Sequence, residues 1–179
     1  MGAGTAVWAG AHIRRGAVVG PDCVIGEGVL VDCDVLVGAR CKVQNHALLY
    51  RGARLGDDVF IGPAACLTND GHPRASTPEL QPKTAADWPN AGIDVADGAS
   101  VGAHAVIVDG CDVGKWAMVG AGSIVTHGVP AHALVVGSPA RRVAWVCRCA
   151  ARLDGELSCP SCGSRYQPDG AGGLRDGAH

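Results

Sequence analysis

Four cysteines near the C-terminal end stand where one metal ion could gather them. Cys147 and Cys149 form one close pair, Cys159 and Cys162 a second, and nine residues separate the pairs. Thiolates delivered in two pairs across a short hairpin suit a tetrahedral zinc ion. Four protein ligands close its shell, so the metal would be structural rather than catalytic. The Cys159-Pro160-Ser161-Cys162-Gly163 half is a specific knuckle signal, while Cys147-x-Cys149 is tighter than usual. An iron–sulfur cluster, a disulfide pair and spare thiols stay open as alternatives, the disulfide being disfavoured in a reducing compartment. His46, in Val43-Gln44-Asn45-His46, is the second candidate. Imidazole titrates near neutral pH and can take a proton directly or through water. Asn45 beside it can orient a partner by hydrogen bonds.

The elements that must position these residues are set by a period of six. Every sixth residue from Val7 to Leu67, and again from Val95 to Val125, is Val, Ile or Leu. Two positions before each stands something small, as at Ala11, Cys23, Cys41, Ala65, Ala99 and Ser123. Glycine often follows the aliphatic, as at Gly20, Gly38, Gly62 and Gly102. A fixed hexapeptide period marks a parallel β-helix. Six residues make one short strand and one corner, three such faces close a coil of eighteen residues, and glycine allows a corner backbone that other residues reach only with strain. An ordinary strand-rich domain would instead alternate with period two and vary in strand length. Aromatic residues are only 4 % of the chain, which suits a prism too thin for stacked rings.

Along the chain, residues 1–130 read as the β-helix, interrupted by a loop over 70–94 whose four prolines and polar residues stop strand formation. Trp88 marks that loop as one that docks on something. Residues 131–146 can cap the open end of the prism, 147–166 form the cysteine knob, and the Gly-rich stretch 167–179 reads as a disordered tail. A net charge of −2 argues against general affinity for nucleic acid or acidic lipid. No signal-like or membrane-spanning apolar run is present, so the cytoplasm is the expected compartment and no membrane partner is expected.

The repeat and its exit, Val135-Val136-Gly137-Ser138-Pro139-Ala140-Arg141, resemble the hexapeptide-repeat acyltransferases. A narrower resemblance rests on Val43-Gln44-Asn45-His46, Tyr50-Arg51-Gly52, Asp57-Asp58-Val59-Phe60-Ile61-Gly62-Pro63, Leu67-Thr68-Asn69 and Pro73-Arg74-Ala75. These look like the subgroup that N-acetylates amino sugars carried on nucleotide diphosphates. The resemblance implies an all-β, left-handed parallel β-helix, a homotrimer, acetyl-CoA as donor, and active sites between subunits. Left-handedness comes from the resemblance alone, since the general rule for parallel crossovers points the other way. Two departures stand out. His46 occupies the last position of a usual Gln-Asn-Asn, and Leu55-Gly56-Asp57 replaces Leu-Glu-Asp. An imidazole is gained and a carboxylate lost, so the acceptor can differ from the subgroup's common uronic-acid sugars.

Amide formation from a thioester needs a neutral amine, a place for the oxyanion and a leaving thiolate. His46 is the expected base and Asn45 its orienting neighbour; in the rival mechanism the departing sulfur collects the proton. Tyr50, Asp57, Asn69 and Arg74 are candidates for the sugar or nucleotide, Arg74 through its planar fork, although Asp57 also suits a plain corner. The resemblance places pantetheine along backbone groups of Ala103, Ala121 and Gly122, with Lys115, Arg141 and Arg142 positive near the CoA phosphates. Three alternatives remain: another acyl acceptor, such as a small-metabolite amine or hydroxyl; a non-catalytic trimeric scaffold; and the γ-class carbonic anhydrases, which share this fold and would need His104, His127 and His132 on zinc.

Overall fold

The computed structural model describes residues 1–84, 87 and 90–177. The solenoid's strands are two or three residues long and form three stacks. On the first face lie Ala6–Val7, Val24–Ile25, Lys42–Val43, Phe60–Ile61, Ser100–Val101 and Met118–Val119. The second holds His12–Ile13, Leu30–Val31, Leu48–Leu49, Cys66–Leu67, Val106–Ile107 and Ile124–Val125. The third holds Val18–Val19, Leu36–Val37, Ala53–Leu55 and Ile93–Val95, continued by bridges through Val113 to Val129. All these pairings are parallel, with partners eighteen positions apart before the insertion, as in Ala6–Val24 and Leu30–Leu48. About seven turns result.

Each strand turns one residue in and one out, because successive side chains point to opposite sides. The inward residue is the repeat aliphatic. Ile25, Val31, Leu49, Ile61, Leu67 and Ile107 are all 0 % exposed, and burying such a side chain stabilises by about 1.5–3 kcal/mol. On the second face the outward residues above His12 are themselves apolar. Leu30, Leu48, Cys66, Val106 and Ile124 stand in register, half-buried except the exposed Ile124.

The corners correct one expectation. Glycines that follow the aliphatic are not in the left-handed region. They permit close approach between coils: a Cβ on Gly20 would lie 2.5 Å from the Gly38 carbonyl oxygen, and one on Gly62 2.5 Å from the Ala103 nitrogen. The left-handed residue comes two positions later. That slot holds Gly28 and Gly122 but also Asp22, Arg40, His46, Ala64, His104 and Trp116, with φ near +60°. Such a backbone costs a non-glycine residue about 1–2 kcal/mol, and the coil-to-coil hydrogen bonds on either side hold it there, as in His46 N–H to Glu27 O at 2.7 Å.

The insertion leaves the second face after Leu67 and rejoins the third at Ile93, two residues sooner than expected. Ile93 and Val95, 1 % exposed each, belong to the core. Asn90 ties the returning chain down, donating from Nδ2 to Arg51 O at 2.6 Å and accepting the Gly92 amide at 2.9 Å. Trp88 lies outside the described residues.

At the far end, Ala133–Gly137 extends the first face in parallel and Ala140–Trp145 returns antiparallel on its edge. The chain then enters the knob. The segment after 166, expected to be disordered, forms an antiparallel hairpin of Tyr166–Pro168 with Leu174–Asp176. Its glycines do not prevent this, because Tyr166 and Leu174 bury themselves with Cys147 and Cys159. Asp169 accepts the Ala171 and Gly173 amides across the turn, and Leu174 N–H donates to Ala131 O on the solenoid. Residues 178 and 179 lie outside the described residues.

Candidate functional site

The prism has three edges, and the predicted site residues distribute over all of them. Asn45 and His46 stand on the edge between the first and second faces. Ala103, Ala121 and Gly122 lie on the same edge in later coils. Tyr50 and Asn69 stand on the next edge, where the insertion carrying Arg74 emerges. Asp57 and Lys115 stand on the last edge, between the third and first faces.

The first edge is a column of corners. The Asn45 Oδ1 accepts the Glu27 amide at 3.1 Å, one coil below, which leaves its Nδ2 for another partner. His46 is exposed, and its ring lies over Gly28. Higher in the column, the amides of Ala103 and Ala121 have no acceptor among the described residues. Gly62 and Gly102 leave those nitrogens uncovered, since a Cβ on either would lie 2.5 Å from them. His104 stands in the same slot as His46, two coil levels above it, and is exposed. It escaped the sequence reading as a neighbour of His46. The signal was there: both follow a repeat aliphatic by three residues, on the same edge once the insertion is discounted.

On the second edge Asn69 lines a hollow of about 380 Å³ with Arg51, Arg54 and Asn90. Tyr50 is half-buried beside it in sequence. Arg74 is exposed, its guanidinium donating to the Pro73 carbonyl at 3.1 Å.

The third edge is an ion-pair ladder. Asp57 accepts the Ala39 amide at 2.8 Å and Arg40 at 3.3 Å, and its own amide donates to Asp97 at 3.1 Å. That is the corner role the sequence also allowed. Arg40 hydrogen-bonds Asp58 at 2.7 Å and holds that carboxyl below its ordinary range. Lys115 does the same for Asp97 at 3.0 Å, assisted by the Asp57 amide. Lys115 is thus paired on a different edge from Ala103 and Ala121. Arg141 and Arg142 lie on the capping strand, beside a hollow of about 350 Å³ shared with His127 and Pro130. The Arg142 guanidinium sits 4.1 Å above the Trp145 ring.

The four predicted cysteines come together, their sulfurs all within 4.8 Å of one another. Cys147 and Cys162 are 3.4 Å apart, Cys149 and Cys159 3.5 Å. A zinc–thiolate tetrahedron with bonds of about 2.3 Å has edges of about 3.8 Å, so the set fits one ion. The Ser164 hydroxyl and amide lower the Cys162 thiol to about 6, readying it as a thiolate. Tyr166 completes the surroundings, its hydroxyl 3.0 Å from Cys147 Sγ and accepting the Arg148 amide at 3.1 Å. The tyrosine ring packs on His132 at 4.6 Å, and His132 Nδ1 bonds the Val146 carbonyl at 2.9 Å. That contact bears on the histidine-zinc alternative, since the three histidines do not come together within one chain. His132 is engaged in the cap at 3 % exposure, while His104 and His127 stand exposed on other edges. Among the described residues, the four cysteines are the only group of three or more His, Cys, Asp or Glu side chains close enough together to hold a metal ion.

The geometry therefore defines a hexapeptide-repeat β-solenoid closed by a four-cysteine knob. No family model matches the chain. It is 49 % identical over 76 residues to the dTDP-3-amino-3,6-dideoxy-α-D-galactopyranose 3-N-acetyltransferase of Aneurinibacillus thermoaerophilus, covering 41 % of this chain and 39 % of that protein. It is 29 % identical over 133 residues to serine acetyltransferase 4 of Arabidopsis thaliana, covering 73 % and 30 %. The chain thus spans well under half the length of these curated relatives. Among solved structures, PerB of Caulobacter crescentus in complex with CoA and GDP-perosamine superposes with a TM-score of 0.64 at 23 % identity, over 78 % of this chain and 56 % of that one. A variant of AntD, an N-acyltransferase from Bacillus cereus in complex with dTDP and coenzyme A, gives 0.68 at 18 %, over 79 % and 81 %. At these identities the structures establish the shared solenoid fold.

Proposed function

We propose that the chain is an acetyl-CoA-dependent N-acetyltransferase acting on the amine of a nucleotide-linked amino sugar. The observation that carries this reading is the 49 % identity to a nucleotide-sugar 3-N-acetyltransferase over 76 residues. The first edge supplies the chemistry. The pantetheine amides bond the uncovered backbone of Ala103 and Ala121 beside Gly122, and Arg141 and Arg142 meet the CoA phosphates. The acceptor amine attacks the thioester carbonyl carbon, the carbon–sulfur bond breaks, and CoA leaves as its thiol. His46 takes the amine proton and returns it to the departing sulfur, and Asn45 Nδ2 holds the sugar.

Tyr50, Asn69 and Arg74 lie on another edge of the same prism. They reach this site only from a second copy, which fits a homotrimer with clefts between subunits. The apolar row Leu30, Leu48, Cys66, Val106 and Ile124 is a surface suited to such packing. Structural zinc on Cys147, Cys149, Cys159 and Cys162 would tie the knob to the cap, since so small a unit needs a staple. Unpaired thiols of this kind suit the cytoplasm. No helix among the described residues is long and apolar enough to cross a membrane.

A second reading is favoured by the 29 % identity to serine acetyltransferase 4: the acceptor is then the hydroxyl of a small metabolite. Calorimetric titration with acetyl-CoA, followed by assay of thiol release over a panel of nucleotide amino sugars and serine, separates the two. Saturable donor binding with amino-sugar turnover is expected, and His46→Ala is expected to lower kcat by about 10²–10⁴-fold. Unchanged turnover in that variant sends the proton directly to the departing sulfur. Failure to bind acetyl-CoA leaves the solenoid as a scaffold.

A further inference from the structure

The corner beneath His46 bears on the site without touching substrate. His46 is left-handed at φ 60°, and its imidazole folds down over Gly28, the equivalent corner residue one coil earlier. A Cβ on Gly28 would fall well inside van der Waals contact distance of His46 Nδ1 and 2.8 Å from Cε1. Other edges repeat the arrangement: Trp116 covers Gly98, and Asp34 covers Gly16. At these three corners the side chain in the left-handed slot occupies the Cβ space of the glycine eighteen positions earlier.

From this we infer that Gly28 is a positioning residue: it sets where the His46 imidazole stands, and through it the geometry of acyl transfer. The inference rests on the reading of His46 as the base. With alanine at 28 the ring must retreat by about 1 Å to regain ordinary contact distance, and a misplacement of that size can cost about 10²-fold in rate.

Gly10 provides a matched control. It lies on the same edge one coil further down, is left-handed at φ 71°, and a Cβ there meets nothing nearer than 3.7 Å. Gly10→Ala and Gly28→Ala thus carry the same backbone strain, and only the second displaces an imidazole.

The test uses the full chain labelled at the histidine rings, with NMR of the His46 imidazole and acetyl-transfer kinetics for both variants, alone and combined with His46→Ala. The expected result is a shifted His46 signal in Gly28→Ala and not in Gly10→Ala. With it comes a fall in kcat of about 10²-fold, an unchanged KM for acetyl-CoA, and no further loss when Gly28→Ala is added to His46→Ala. An unmoved His46 signal, or an equal rate loss in the His46→Ala background, overturns the inference. A moved ring with an unchanged rate overturns it too, by a different route: the ring is positioned as described, but His46 is not the base. Should Gly28→Ala fail to fold, recovery of folding in the double variant supports the contact, and failure of both refutes it.

Discussion

Replacing Tyr166 by phenylalanine isolates one atom of the knob. The ring would stay packed on His132, since Phe keeps its shape; only the hydroxyl goes. Burial raises the Tyr166 phenol to about 12, so it keeps its proton at neutral pH. One lone pair accepts the Arg148 amide at 3.1 Å, and with Cys147 as a zinc-bound thiolate the hydroxyl would donate to its Sγ, 3.0 Å away. A hydrogen bond to a charged acceptor is worth about 1.5–3 kcal/mol. Residues that support metal ligands in this way contribute about 10–100-fold to affinity, equivalent to about 1.4–2.7 kcal/mol. The two estimates agree, so Tyr166→Phe should weaken zinc binding about 10–100-fold. Competition against a chromophoric chelator measures it directly, and thermal unfolding with and without zinc shows where the loss falls. Affinity unchanged within experimental scatter would refute the argument. So would an equal loss of thermal stability in metal-stripped protein, because the hydroxyl would then serve the fold and not the metal.

Leu49→Ala removes a side chain that is 0 % exposed and should cost about 2–5 kcal/mol. Val18→Ala, on an outward position 52 % exposed, should cost less than about 0.5 kcal/mol, both read from denaturant midpoints. Burial holds His132 below its ordinary pKa, against the Val146 carbonyl that favours its charged form. The unfolded chain therefore takes up this proton first. Stability contributed here is complete above about pH 6.5 and falls as pH drops below it, down to the folded value. His132→Phe should flatten that part of a stability–pH curve, and an unaltered slope would sink the assignment. Asp57→Ala should cost about 1 kcal/mol by freeing the Ala39 amide while leaving the acceptor KM unchanged; a raised KM with stability preserved would make Asp57 a substrate contact.

Much of this architecture could be read from the aliphatic period, because the inward position of a two-residue strand admits little else. The cysteine cluster was equally legible, since two close pairs across a hairpin leave few ways to arrange four sulfurs. The conformation of each corner was not. Glycine, aspartate, arginine, histidine and tryptophan all take the left-handed slot, and what selects them is the hydrogen bonding of the coils on either side. The tail misled for a related reason: its glycines suggested disorder, while two side chains, Tyr166 and Leu174, sufficed to anchor a hairpin on the knob. For the candidate site, counting along the repeat could have assigned Asn45, Tyr50 and Asp57 to three separate edges. Their meeting would require more than one prism, and a single chain's periodicity contains no information on how prisms pack.

The insertion also bears on how such a scaffold can change. Phe60 pairs with Ser100 and Cys66 with Val106, in the same parallel ladders that elsewhere join residues eighteen apart. To the stack, the intervening segment is a side branch at one corner. Doubling the length of such a loop costs only about 0.6 kcal/mol in closure entropy, and no inward aliphatic changes register. A solenoid of this kind separates two problems that most enzymes must solve together: the rungs hold the column of His46, Ala103 and Ala121, while the branch can be lengthened, shortened or exchanged. Grafting the corresponding loop of another solenoid between Asn69 and Asn90 would alter what the edge can recognise and leave the ladder beneath it as it was.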